Sequence, residues 1–386
     1  MKPDSYKKAE QYFHRLLYPV DIKINGIRPF DIKVYNRRLY DRILRQGALG
    51  FGEAYMDGWW DCRAMDQFMT RILKARLDLK IARNNLLSLC RLTPKVFNLQ
   101  SRRRAFMVGS EHYDAGNDLY RRMLDKRMNY SCAYFSGTDS LDRAQERKLD
   151  LVCRKIGLKP GMHVLDIGCG FGSFARFAAE KYNANVTGIT VSKNQAQFGQ
   201  KMCRGLPVKL LVQDYREMKG QFDAVVSIGM FEHVGYKNYR TYMETVDRCL
   251  KPDGTAFIHT IGCNTSSIRV NSWTNKYIFP NGMLPSIAQI GEAMEGIFIM
   301  EDWENFGPCY DKTLIEWHKN CENAWPELDR KKYNRRFRRM WRYYLLSCAA
   351  LFRSRQAQLW QIVMKKPGAE PPGQLRISPG EMGDFT

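Results

Sequence analysis

From residue 148 onward, short apolar runs alternate with amphipathic stretches of helical period. His163–Ile167 reads as a strand, Ser173–Tyr182 as a helix, 185–189 as a strand and 193–203 as a helix. Val208–Val212 and Phe222–Ile228 continue the series as strands, followed by a helix over 236–249 and a strand over 255–259. Strands alternating with helices predict a parallel sheet covered on both faces, an α/β fold. Two late strands, 297–303 and 359–364, enclose helical segments between 313 and 355. The sheet is expected to take its last strands from this region, with the intervening helices forming a pocket.

The first hundred residues predict a small α+β unit. Asp21, Lys23 and Asn25 alternate with Ile22 and Ile24, and Asn25-Gly26 is a hairpin turn signal. Residues 27–34 would return as the second strand, bent or placed at an edge by Pro29. Helical patterns follow at 37–46 and 65–77, on either side of LGFGEAYMDGWWDC. Pro94 marks a linker and puts the boundary near Gln100. The expected organisation is therefore an N-terminal domain over 1–100, a second domain over 101–366, and a Pro/Gly-rich, disordered tail over 367–386.

Composition changes this picture at one point. With 44% hydrophobic and 26% charged residues among 386, the chain is an ordinary folded protein. It has no apolar run of the ~18 residues that spans a bilayer and no signal-peptide stretch. A cytoplasmic location is expected. The eleven cysteines form no C-x-x-C pair, which argues against a disulfide framework and against zinc. The net charge of +21 is the outlier, and it predicts a polyanionic partner, either nucleic acid or anionic lipid.

The chemistry begins at VLDIGCGFG, residues 164–172, a strand running into a glycine loop and a helix. Gly168, Gly170 and Gly172 let the backbone turn tightly and approach a ligand. The loop amides and the helix N-terminus offer donors to a carboxylate, and Asp166 is placed to orient an amino group. The G-x-G-x-G spacing is neither that of dinucleotide binders nor a P-loop. Gln213 and Asp214 follow the third strand, where they can accept from an adenine amino group. No acidic residue ends the second strand, so ribose contacts fall to groups among Thr190, Ser192 and Gln195 or to backbone. In this order the segments predict an S-adenosylmethionine site in a Rossmann-like class I methyltransferase sheet with helical insertions.

EHYDAGNDLY (111–120), YSCAYF (130–135), VLDIGCGFG, GITVSKNQ (188–195), GMFEHVG (229–235), HTIG (259–262) and FPNGMLPS (279–286) occur in one order. The set resembles the cyclopropane-fatty-acyl-phospholipid synthase family, and the resemblance runs from about residue 20 to 365, through LGFGEAYMDGWWDC and YYLLSCAALFR. It is closer to the longer bacterial enzymes than to the mycolic-acid cyclopropane synthases, which lack the N-terminal domain. The resemblance implies methylene transfer from S-adenosylmethionine to a cis double bond in a phospholipid acyl chain. Such a reaction needs a sulfonium held in line, exclusion of water, aromatic faces beside a carbocation, and a base.

Glu232 lies just past the strand Phe222–Ile228, and His259 ends the next strand at the same edge, where ligand sites of open α/β sheets lie. By resemblance, Cys132, Glu232, His259, Ile261 (through its backbone) and Tyr310 hold a bicarbonate ion that acts as the base. Tyr130 and Ser131 would touch the cofactor and His112 the entry side of the site, while Tyr130, Tyr134, Phe135 and Phe231 would line the alkene pocket or else form an aromatic core. Cys348 matches a family cysteine that invites a nucleophile reading, although direct transfer from a sulfonium needs no covalent enzyme intermediate. Cys169 is expected only to pack.

The basic segment 331–355, with Trp341, Tyr343, Tyr344 and Leu345, suits an anionic bilayer surface, or else is a solvated face over a core stripe. Trp59-Trp60 fits a membrane interface or the inside of the N-terminal unit equally well. By resemblance that unit serves dimerisation and lipid engagement, giving a homodimer held peripherally on the inner face of the cytoplasmic membrane. Two readings compete with this one. One is a methyltransferase acting on another lipid, a small molecule or RNA; the chain shows no RNP, KH or zinc-knuckle pattern, and no nucleic-acid partner is expected. The other is a lipid-binding protein with a dead site, which the intact loop and edge residues disfavour.

Overall fold

A computed structural model describes residues 3–84, 116–267 and 271–376. The chain divides into two compact units. One holds the described parts of Met1–Phe97 and Arg269–Pro280, with Leu314–Ala357; the other holds those of Asn98–Ile268, Asn281–Thr313 and Gln358–Thr386. The expected boundary near Gln100 and the linker at Pro94 lie outside the described residues.

The first unit is mostly helical. The helices Pro3–Leu17, Arg38–Met56, Met65–Lys74 and Leu77–Asn84 are joined by Ser272–Tyr277 and Arg335–Arg353 from later in the chain. Arg335–Arg353 lies in the 313–355 stretch expected to form a pocket; in the structure its apolar face completes this core instead. Phe51 stacks on Trp60 at 4.3 Å, and Tyr343 lies 5.7 Å from Tyr55 and 4.6 Å from Trp273. Trp60 is fully buried, and Trp59 lies under the Arg42 guanidinium at 4.8 Å. Trp60 is thus a core residue.

The expected 21–34 hairpin does not form. Asn25 takes a left-handed φ of 56°, and the buried Asp31 carboxylate accepts from the amides of Lys23 and Arg28 and from Arg28 Nε. A carboxylate therefore ties the loop where a strand ladder was expected. An isolated bridge joins Ile24 and Ile32, and β1 (Lys33–Val34) pairs, antiparallel, with β2 (Trp60–Asp61).

The second unit is built on a seven-stranded sheet: β3 (His163–Ile167), β4 (Asn185–Thr190), β5 (Val208–Val212), β6 (Phe222–Ile228), β7 (Leu250–Cys263), β8 (Ile299–Asn305) and β9 (Ala357–Lys365). Their order is β5-β4-β3-β6-β7-β9-β8. The pairs β5-β4, β4-β3, β3-β6 and β6-β7 are parallel, and β8 runs antiparallel to β9.

Side chains alternate between two cores, as a period of two requires. Leu165, Ile167, Val225 and Ile258 enter one with Phe231 and Tyr242; Val164, Val226 and Phe257 enter the other with Phe174 and Phe177. Burial on both faces is why these strands read as continuous apolar runs. The chain winds outward from β3 to β5 and returns to β6, so the strand order reverses between β3 and β6. Ligands of open α/β sheets bind outside the carboxyl ends at such a point. The tail is described to Arg376, whose Nε pairs with Asp302 at 3.1 Å.

Candidate active site

The glycine loop turns at the end of β3 with Gly168, Gly170 and Gly172 all at positive φ, 81°, 54° and 80°. A Cβ on Gly168 would meet Met230 at 2.6 Å, whereas one on Gly170 would meet nothing within 4 Å. Gly170 faces open space on the wall of a pocket lined by Asp166, Gly170, Tyr130, Ser131, Gln195 and Lys148 among others. Three loop amides are already engaged. Gly168 and Cys169 donate to the Ile189 carbonyl at 2.9 and 3.0 Å, and Gly172 donates to Cys169 at 2.8 Å. The loop offers fewer donors to an anion than its composition suggested.

Asp166 is 2% exposed, and its Oδ2 has no hydrogen-bond partner among the described residues. Burial pushes this carboxyl up to about 7, with Lys148 opposing. Lys148 is the residue that sequence reasoning missed. It is 1% exposed on the helix Leu141–Lys155, and its Nζ donates to Ser131 Oγ at 2.9 Å and Asn129 Oδ1 at 3.1 Å. Asn129 is in turn fixed by Asp125, which accepts from its amide at 2.7 Å and its Nδ2 at 2.8 Å. Burial pulls Lys148 down to about 8 against the attraction of Asp125, Cys132 and Asp166. The signal was in the sequence: Leu141, Lys148, Val152 and Lys155 share the helix's inward stripe, and a lysine there must be paired. Lys155 is, with Asp302 and Glu304 at 3.0 and 2.6 Å.

At the neighbouring edge Glu232 is buried just past β6. Its Oε1 accepts from the Ile261 amide at 2.6 Å, and its Oε2 has no partner among the described residues. Burial pushes Glu232 up to about 7, outweighing the pull of that amide. The Ile261 N–H is thereby committed to Glu232. His259 ends the paired stretch of β7 opposite Ile228 and is 1% exposed. Gln361 Nε2 donates to its Nδ1 at 3.4 Å, while Nε2 has no partner. Burial holds the imidazole well below its usual range, so it is neutral, and a neutral ring accepting at Nδ1 carries its proton on Nε2.

Cys132 is buried, its thiol held well above the usual range by burial and donating to the Ala133 carbonyl at 3.2 Å. The Ala133 amide donates to Thr313 Oγ1 at 3.1 Å. Thr313 lies one turn beyond Tyr310, which is buried on the same helix, Gly307–Ala324. Lys148 acts electrostatically on Cys132, Asp166 and His259. The two edges are therefore one electrostatic neighbourhood.

The remaining candidates fall in different places. Ser192 caps the helix Lys193–Met202 by accepting from the Gln195 amide, and Thr190 Oγ1 donates to Gln195 Oε1 at 3.1 Å, a local network with Gln195 on the pocket wall. Asp214 is held by Arg216 at 2.7 and 2.8 Å, leaving the half-exposed Gln213 side chain the freer acceptor at the end of β5. Tyr130 packs edge-on against Tyr120 at 5.2 Å. Tyr134 packs edge-on against Phe306, while Phe231 stacks on Tyr239 at 4.6 Å within the core. Cys169 packs beside Gly188. Cys348 lies on Arg335–Arg353 in the first unit, its thiol pushed up to about 12 by burial. His112 lies outside the described residues.

The family model for mycolic acid cyclopropane synthetase matches residues 100–362. Cyclopropane-fatty-acyl-phospholipid synthase of Escherichia coli (strain K12) is 50% identical over 353 residues, covering 92% of this chain and 92% of its own. Tuberculostearic acid methyltransferase UfaA1 of Mycobacterium tuberculosis is 32% identical over 349 residues, 85% of this chain and 81% of its own. The solved structure of mycolic acid cyclopropane synthase CmaA1 complexed with SAH and CTAB matches with a TM-score of 0.63 at 32% identity, covering 68% of this chain and 98% of that one. With the glycine loop at the sheet's switch point and the Glu232–His259 edge beside it, the chain belongs to the mycolic acid cyclopropane synthetase family.

Proposed function

We propose that this chain is a cyclopropane-fatty-acyl-phospholipid synthase, adding a methylene from S-adenosylmethionine across the cis double bond of a phospholipid acyl chain. The observation that carries the reading is the 50% identity to the Escherichia coli enzyme of that name over 92% of both chains. A family structure with S-adenosylhomocysteine, the spent donor, supports the choice of cofactor. The donor supplies an electrophilic methyl group on a sulfonium. On this side, Asp166 offers an unshared carboxylate oxygen, Gly170 leaves room, and Tyr130, Ser131 and Gln195 line the pocket, with Gln213 at the end of β5 for the adenine.

Bicarbonate, held by Cys132, Glu232, His259 and Tyr310, would be the base that takes the proton lost on ring closure. Two buried, unshared atoms support that reading. Glu232 Oε2 accepts a proton or an O–H, and His259 Nε2 donates to an oxyanion. An accepting carboxylate and a neutral donor are what an anion carrying its own proton requires. Ile261 contributes through Glu232, whose Oε1 its amide fixes. A peripheral position on an anionic bilayer and a homodimer belong to the same proposal, supported by the net charge of +21.

The test is incubation of the purified protein with S-adenosylmethionine and vesicles bearing cis-monounsaturated chains, read by mass spectrometry. The expected product is acyl chains one methylene heavier that carry a ring. A methyl branch, or methylation elsewhere, would redirect the reading to another methyltransferase. Bicarbonate-depleted buffer is expected to slow turnover, restored by added bicarbonate, and indifference would remove the proposed base.

A further inference from the structure

Lys148 and Asp166 share one pocket, both are essentially excluded from solvent, and each lacks part of its hydrogen-bonding complement. An ammonium has three N–H donors. Those of Lys148 reach Ser131 Oγ and Asn129 Oδ1, which leaves one. Asp166 has one oxygen without any partner. A desolvated cation and a desolvated anion, each a partner short, fit a ligand group carrying both charges. The glycine loop meets less of that need than its length suggests, because the amides of Gly168, Cys169 and Gly172 are bonded within the protein.

We propose that Lys148 binds the α-carboxylate of the methyl donor while Asp166 binds its α-ammonium, so that the pair reads the donor's zwitterionic amino-acid head. This rests on the cofactor reading above and deepens it. Asp125, saturated by Asn129 and the Arg127 amide, sets the height of Asn129 and through it the direction of Lys148 Nζ. A charge-assisted hydrogen bond of this kind is worth about 10- to 100-fold in affinity.

Two ligands separate the proposal from a merely structural lysine. S-adenosylhomocysteine carries both charges, and its decarboxylated analogue keeps the amine alone. The wild-type protein is expected to prefer the first by ~10-fold or more, and Lys148→Met to lose that factor for the first while binding the second as before. Equal losses for both ligands would overturn the proposal and leave Lys148 as a strut for Ser131. A wild-type protein that binds neither would sink the cofactor reading itself.

A second measurement needs no variant. The groups acting on Lys148 are Asp125, Cys132 and Asp166, and its ammonium sits at about 8. Pairing with a carboxylate raises it, so calorimetry at about pH 8 in buffers of different ionisation enthalpy is expected to show proton uptake with S-adenosylhomocysteine beyond that seen with the analogue. Equal uptake would count against the pairing.

Discussion

Glu232 and Ile261 are joined across the ends of β6 and β7 by one short hydrogen bond, the amide donating to Oε1 at 2.6 Å. The bond fixes the carboxylate and leaves Oε2 as the atom free to act. Glu232→Gln keeps an acceptor for the amide and turns the other oxygen into a donor. Turnover is expected to fall by about 10²–10⁴-fold. Affinity for S-adenosylhomocysteine and the melting temperature should stay near wild type. Retained turnover would make Glu232 a strap on β7 and nothing more.

Asp166 predicts a conflict between stability and binding. Its carboxyl sits at about 7, raised by burial above the ordinary value of 3.8. Between those values the folded chain holds a proton that the unfolded chain has released, so this group lowers stability as pH rises from 3.8 to about 7. Asp166→Asn removes that loss. The variant is expected to melt higher than wild type at pH 8, by about 2–4 °C for each kcal/mol of desolvation released, with the difference vanishing toward pH 4. It should also bind S-adenosylhomocysteine at least ~10-fold more weakly. Calorimetric scans across pH check the first statement and titration the second.

Cys348 should not behave as a nucleophile. Burial pushes its thiol up to about 12, and the reactive form of a cysteine is the thiolate. Cys348→Ala is expected to keep turnover within ~3-fold, and iodoacetamide at neutral pH should leave Cys348 unmodified in the native protein. A loss of ~100-fold with folding intact would restore the covalent reading.

The sequence exposed most of the second unit because its strands are buried on both faces. His163–Ile167, Val208–Val212 and Phe222–Ile228 have the ends that their apolar runs predicted. β7 is longer than its apolar run, since it begins at Leu250 and continues past His259 to Cys263. The helix Arg335–Arg353 shows an amphipathic period, but a period does not say which core receives the apolar face. The Glu232–Ile261 bond was hidden for another reason: its donor is backbone, and side-chain identity carries no trace of it. Lys148 was passed over because a lysine reads as solvated until its helix is known to be covered on that stripe.

The basic segment around that same helix provides the last test. Arg339 donates to the Tyr55 carbonyl at 2.5 Å and the Trp60 carbonyl at 2.8 Å, pairs with Asp61 at 2.8 Å, and lies 3.9 Å over the Tyr55 ring. Arg336 pairs with Asp57 and Arg353 with Asp66, so much of the charge is committed inside the first unit. Arg335, by contrast, is exposed. Arg339→Ala takes a donor from the Trp60 and Tyr55 carbonyls, the latter keeping the Gly58 amide, and the partner from Asp61, and is expected to cost about 2–4 kcal/mol in urea unfolding. Arg335→Ala should cost less than about 0.5 kcal/mol. Each variant removes one positive charge. If the segment docks on an anionic bilayer, Arg335→Ala should weaken vesicle cosedimentation by about 1 kcal/mol while leaving the fold intact. The reverse pattern, with Arg339→Ala impaired only on vesicles, would show that its bonds to Tyr55, Trp60 and Asp61 give way when the protein meets lipid.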